Sequence, residues 1–112
     1  MPRPRKPRFV NSRPLVDVFS PNRFPPWGRE EITLSIEGLE ALRLSDYEGL
    51  DQEEAAGRMN VSRQTFGRIL NEARGIVPEA LVMWKALLIE GGHFEMPPRG
   101  RGRRRRGIGG SF

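Results

Sequence analysis

The sequence predicts a mainly α fold: a small helical domain built on a helix-turn-helix, with one short two-stranded β element and disordered basic termini. Three observations carry that expectation. Apolar residues recur at helical spacing through the middle of the 112-residue chain, first as Leu39, Ala41, Leu42 and Leu44, then as Phe66, Ile69, Leu70 and Ala73. Two short segments, 31–36 and 86–90, have the apolar pattern of strands. Both ends are rich in arginine, proline and glycine and hold little to bury. At 37% hydrophobic residues the length suits one core.

Taken in order, residues 1–14 alternate Pro2, Pro4 and Pro7 with Arg and Lys, which disfavours helix and reads as an extended basic arm. The cluster from Pro21 to Gly28 reads as a loop, with Phe19, Phe24 and Trp27 placed to fold back onto a domain spanning 15–95. Glu31-Ile32-Thr33-Leu34-Ser35-Ile36 alternates polar and apolar side chains, as a strand with one buried face does. From Glu37 to Asp46 the spacing becomes helical. Asp51, with Glu54 three residues on, predicts an N-cap and capping box for a helix reaching Met59. Ser62 predicts the next N-cap, for a helix ending near Arg74 with Gly75 as a left-handed cap. Pro78 suits a first helical turn but not an interior, so a break at 75–77 and a further helix over 78–86 are expected. Ala86 to Glu90 reads as a strand able to pair with 32–36 or to form the seam of a homodimer. The tail 96–112, mostly arginine and glycine, is expected to be disordered.

Within 51–74 the requirements of a helix-turn-helix meet. Ala55 and Ala56 are small where two helices approach, Asn60 tolerates the left-handed turn, and Val61, Phe66, Ile69 and Leu70 lock the second helix onto the first. Ser62, Arg63, Gln64, Thr65, Gly67, Arg68 and Asn71 are left facing outward. Arg bonds guanine O6 and N7 in a fork, Gln and Asn do the same to adenine, and a threonine methyl meets thymine, so this set has the chemistry to read base edges in duplex DNA. Gly67 would let a backbone approach closely.

The formal charge of +5 conceals a division. Residues 1–29 hold seven Lys or Arg against one acid, and 97–112 hold six Arg and none; between them, 30–96 carries six basic residues against 13 acidic ones, a net charge of −7. The ends are therefore the expected source of sequence-independent phosphate contacts, through Arg3, Arg5, Lys6, Arg8, Arg103, Arg104, Arg105 and Arg106. The chain has no cysteine and a single histidine, His93, with no carboxylates clustered for acid-base or metal work, so no enzyme activity, metal or cofactor is expected. No apolar run approaches a membrane span and no signal-peptide core follows the basic start, which implies a cytoplasmic protein without a membrane partner.

Several separated motifs carry a resemblance. Met1-Pro2-Arg3-Pro4-Arg5-Lys6, Leu39-Glu40-Ala41-Leu42-Arg43-Leu44, Glu48-Gly49-Leu50-Asp51-Gln52-Glu53-Glu54-Ala55-Ala56, Val61-Ser62-Arg63-Gln64-Thr65-Phe66, and Lys85-Ala86-Leu87 with Ile89-Glu90-Gly91-Gly92 resemble the prokaryotic family called domain of unknown function 134. That resemblance implies DNA binding through a helix-turn-helix similar to region 4 of sigma-70 factors, and hence transcription regulation. It also implies one continuous helix where Gly75 and Pro78 imply a break. Trp84 is expected to be a core or interface side chain. Two other readings stay open: RNA or nonspecific nucleic-acid binding centred on the arginine-glycine tail, and a protein module that engages RNA polymerase or another transcription protein.

Overall fold

The computed structural model describes residues 7–23, 30–92 and 94–95. Among these, three helices are set between two neighbouring strands of a small sheet. Strand β3 (Glu31–Leu34) lies parallel to β4 (Ala86–Ile89), in register from Glu31 opposite Ala86 to Leu34 opposite Ile89. Parallel neighbours need a long crossover, and here the crossover is the whole helical segment. The expected pairing of 32–36 with 86–90 is thus made within one chain, but the β element is not two-stranded. Strand β2 (Val18–Phe19) pairs antiparallel on the other edge of β4, giving the order β2-β4-β3. A separate parallel pair joins β1 (Arg8–Phe9) to β5 (Phe94–Glu95).

Strand β3 stops two residues short of the expected end, because Ser35 takes another task. Its hydroxyl accepts the Gly38 N–H at 2.9 Å and caps α1 (Ile36–Leu42). This helix continues as five π-helical residues, Arg43–Tyr47, closed by the Glu48 N–H donating to the Arg43 carbonyl at 2.8 Å. Helix α2 (Gln52–Met59) starts as expected, with the Asp51 carboxylate accepting the Glu54 N–H at 2.8 Å. It ends on Asn60, whose φ is 59°. The Val61 N–H donates to the Ala56 carbonyl at 3.0 Å and the Asn60 N–H to that of Gly57 at 3.1 Å, the paired bonds that close a helix over a left-handed residue.

Helix α3 runs from Arg63 to Val82, so the expected end near Arg74, the left-handed cap at Gly75 and the separate helix over 78–86 are all corrected. A proline inside a helix costs about 3 kcal/mol, since it removes one hydrogen bond and crowds the turn before it. The buried stripe explains why the helix persists. Ile69, Leu70, Ala73 and Ala80 are buried, with Ile76 and Val77 half-buried between them, so one apolar face crosses the Gly-Pro segment without interruption. Pro78 and Arg74, whose carbonyl loses its donor, both lie on the exposed side, where water can replace the missing bond. The real end comes at Trp84, with φ 57°, where the Lys85 N–H closes onto the Ala80 carbonyl at 2.9 Å.

Two apolar clusters lie along α3. Ala41, Leu44, Ala55, Ala56, Met59, Phe66, Ile69 and Leu70 fill the space between the three helices. Val10, Leu34, Ile36, Ala73 and Ile89 join the middle of α3 to the sheet, and Leu42 packs against both groups. Val10, 1% exposed, shows that the expected free arm is docked from Arg8 onward. The Asn11 N–H donates to Glu40 Oε2 at 3.2 Å, and the Arg13 guanidinium lies 5.2 Å from the centre of the Phe94 ring. Phe19, expected to fold back from a loop, stands instead in β2 and is 57% exposed. Phe24, Trp27, His93, residues 1–6 and the tail 96–112 lie outside the described residues.

Candidate nucleic-acid interface

The N-terminal half of α3 displays the expected outward set on one side of the helix. Arg63, Gln64, Arg68 and Asn71 are exposed, and Thr65 and Gly67 are half-buried beside them. They are held there from beneath by Phe66, Ile69 and Leu70, each buried against α2 and α1. Ser62 is differently employed: its hydroxyl accepts the Thr65 N–H at 3.0 Å and donates to Thr65 Oγ1 at 3.0 Å. Both hydroxyls therefore serve the helix start first. A methyl group at Gly67 would meet only Gln52 Oε1, at 3.6 Å, which is ordinary contact. The fold does not require glycine at this position. The same distance brings Gln52, at the start of α2, onto the exposed face; sequence pattern offers no signal for it beyond an amide in the first helical turn.

Ion pairing separates the basic residues of the helical segment into two kinds. Arg43 binds Glu40 through two hydrogen bonds, at 2.7 and 3.0 Å, and also reaches Glu48. The Glu40 hydrogen bond, stronger than the cost of burial, raises the Arg43 pKa above its already high ordinary value. Arg58 faces Glu54 at 3.8 Å, and Lys85 pairs with Glu79 and Glu30. Arg74, where the sequence predicts the end of the second helix, is bound to Asp46 at 2.6 and 3.2 Å. That hydrogen bond holds the Asp46 carboxyl below the usual carboxylate range. Among the described residues, Arg63 and Arg68 are in no ion pair with a carboxylate. Helix α3 also begins without an acidic residue in its first turn, whereas α2 begins with Glu53 and Glu54. The positive end of its backbone dipole is therefore uncompensated by its own side chains.

One expected phosphate contact is removed. Arg8 is buried, its Nε 3.8 Å from Glu37 Oε1, and is part of the core rather than of a charged arm. Arg3, Arg5, Lys6 and Arg103 to Arg106 lie outside the described residues.

A family model described as protein of unknown function DUF134 matches residues 1–97. The chain belongs to this family. It is 51% identical over 96 residues to a UPF0251 protein of Thermoanaerobacter sp. (strain X514), covering 86% of this chain and 85% of that one. A UPF0251 protein of Caldanaerobacter subterraneus subsp. tengcongensis is 50% identical over 96 residues, covering 86% and 81%. One from Desulforudis audaxviator is 50% identical over 99 residues, covering 88% of this chain and 65% of the relative. No solved structure matches the chain. Among the described residues no helix is long and apolar enough to cross a membrane.

Proposed function

We propose that this protein binds specific sites in double-stranded DNA, with α2, the left-handed turn at Asn60 and α3 acting as a helix-turn-helix, and that it regulates transcription. The observation that carries the reading is that, among the described residues, Arg63 and Arg68 are in no ion pair, in a segment whose other cations are all matched to carboxylates. A guanidinium exposed beside a helix N-terminus attracts phosphate and can fork onto guanine. In this reading the start of α3 enters the major groove. Arg63 and Gln64 reach base edges from the first turn and Arg68 and Asn71 from later ones, each bidentate pair contributing roughly 1–3 kcal/mol of discrimination. Gly67 leaves room for the DNA backbone or a base edge, and Gln52 is placed to meet a phosphate. The family resemblance, which implies a helix-turn-helix similar to region 4 of sigma-70 factors, supports the same docking. The acidic net charge of 30–96 means that the basic ends supply most of the sequence-independent affinity.

The test is a selection from random duplex DNA with the full chain, with Arg63→Ala combined with Gln64→Ala, and with 97–112 deleted. A motif that disappears with the double substitution, while nonspecific affinity stays, supports the reading. Deleting the tail should weaken all sequences alike and flatten the salt dependence by about 0.9 for each phosphate that the tail had neutralised. A motif unchanged by the double substitution contradicts the proposal, as does a preference for single-stranded RNA.

A further inference from the structure

Strands β1 and β5 tie the two ends of the domain into one short parallel ladder, with Arg8 opposite Phe94 and Phe9 opposite Glu95. The chain enters this ladder at Arg8 and leaves it after Glu95, one residue along and one strand across, at points about 6 Å apart. Residues 1–6, which precede β1, hold Arg3, Arg5 and Lys6 and no acid; 97–112, which follow β5, hold six arginines and no acid. The two most basic stretches of the sequence therefore join the domain at one place.

Arg13 is a separate observation at the same place. Its guanidinium lies over the Phe94 ring of β5, is exposed, and among the described residues is in no ion pair with a carboxylate. Stacking on the ring holds the side chain in one region and leaves its N–H donors for another anion. Two acids packed against this segment are already engaged: Glu37 faces Arg8, and Glu40 accepts from Arg43 and from the Asn11 N–H. The ladder also stands close to the proposed reading helix. Strand β1 lies against α2, and Val10, next in the chain, packs with Ala73, about 15 Å along α3 from Arg63. Six extended residues span about 20 Å, so 1–6 is long enough to meet a duplex held at the start of α3.

We infer that the β1–β5 ladder and Arg13 are the base of a single phosphate-binding locus, from which both basic ends engage the backbone of the same duplex beside the helix-turn-helix. Guanidinium groups pair with phosphate through two parallel hydrogen bonds, and cations that start from one point meet neighbouring phosphates together. The acidic net charge of 30–96 opposes a polyanion, so the opposing cations are most effective where they are concentrated. An anionic membrane offers phosphates too, but it presents a broad front to the acidic body, whereas a duplex can lie against the ladder alone. The inference rests on the proposed binding of duplex DNA, though not on the reading of its bases.

The test measures affinity against salt concentration for mixed-sequence duplexes of about ten and about forty base pairs. It compares the full chain, chains lacking 1–6 or 97–112, Arg13→Gln and Arg13→Lys, with circular dichroism to check that helix is retained. The shorter duplex is about 34 Å long, so it favours cations that act in one place. On both duplexes the slope of log affinity against log salt should flatten by up to about 0.9 for each cation removed: three with 1–6, six with 97–112 and one with Arg13→Gln. Arg13→Lys keeps the charge and should keep the wild-type slope. Flattening confined to the longer duplex, or an Arg13→Gln slope equal to that of the wild type, overturns the inference and leaves duplex binding standing. The expected slopes in a protein that selects no motif support the locus and contradict base reading alone. Binding to phosphatidylserine vesicles but to neither duplex overturns both.

Discussion

The two halves of α3 share one helix and one continuous buried stripe, yet they present opposite surfaces. The N-terminal half lies over the cluster of three helices and exposes Arg63, Gln64, Arg68 and Asn71; the C-terminal half lies over the sheet and exposes Leu81 and Val82. The buried faces are alike because both need only apolar residues at helical spacing. What differs is the part of the sequence that the fold leaves free. Polar groups with hydrogen-bonding geometry gather at one end, and side chains that gain by leaving water gather at the other.

Removing what lies beneath the first half should have the largest effect. Phe66 is fully buried at the centre of the helical cluster, so Phe66→Ala is expected to cost about 3–5 kcal/mol in urea denaturation. A loss below about 1 kcal/mol would mean that the cluster does not support the exposed set. The boundary between the halves is tested next. Pro78→Ala restores an N–H for the Arg74 carbonyl at an exposed site and is expected to stabilise the protein by up to about 3 kcal/mol, with helix content unchanged. Destabilisation would show that the proline ring itself is needed where the second half of the helix meets the sheet.

A smaller substitution sharpens the contrast between fold and surface. Gly67→Ala meets nothing closer than 3.6 Å and removes a helical glycine, so thermal unfolding should shift upward by the equivalent of about 1 kcal/mol. If the exposed side of α3 reads duplex DNA as proposed, affinity for the selected duplex should fall in the same variant, because the added methyl stands on that side. Increased stability with unchanged binding would take Gly67 out of the interface.

The smallest effect concerns Asp46 and Arg74. Hydrogen bonding from Arg74 lowers the Asp46 pKa in the folded protein, so this pair stabilises the fold above the unfolded carboxylate value of about 4, and the contribution is lost as pH falls through the lowered folded value. Both groups are largely solvated, which keeps the effect small. Asp46→Asn should therefore lower stability slightly at neutral pH and converge with the wild type in acid. A difference that persists unchanged to the lowest pH would assign the effect to something other than this charge.

The sequence made the first half of α3 legible because its signals are local. Asp51, Asn60 and Ser62 act within four residues of themselves, and the i, i+3, i+4 pattern of Phe66, Ile69 and Leu70 needs no knowledge of the rest of the chain. The second half was concealed by the same kind of signal. Gly75 and Pro78 read locally as a stop, and only packing of Ala73, Ile76 and Val77 against the sheet, with Ala80 buried beyond them, overrides it. Strands of two residues, such as β1, β2 and β5, are too short to show a period. Val10 follows Phe9 in a basic, proline-rich stretch with no period, and nothing within that stretch marks it as core. At the candidate site, residue types and outward placement were readable. The pairing of Arg74 with Asp46, which leaves Arg63 and Arg68 apart, depends on residues 28 positions away.

The most direct measurement replaces a guanine in the selected duplex with 7-deazaguanine, which lacks the N7 acceptor, and compares wild type with Arg63→Ala by fluorescence anisotropy. If Arg63 forks onto that guanine, the replacement costs the wild type about 1–3 kcal/mol and costs Arg63→Ala almost nothing. Equal losses in both proteins at every guanine of the site would contradict the assignment of Arg63 to base reading.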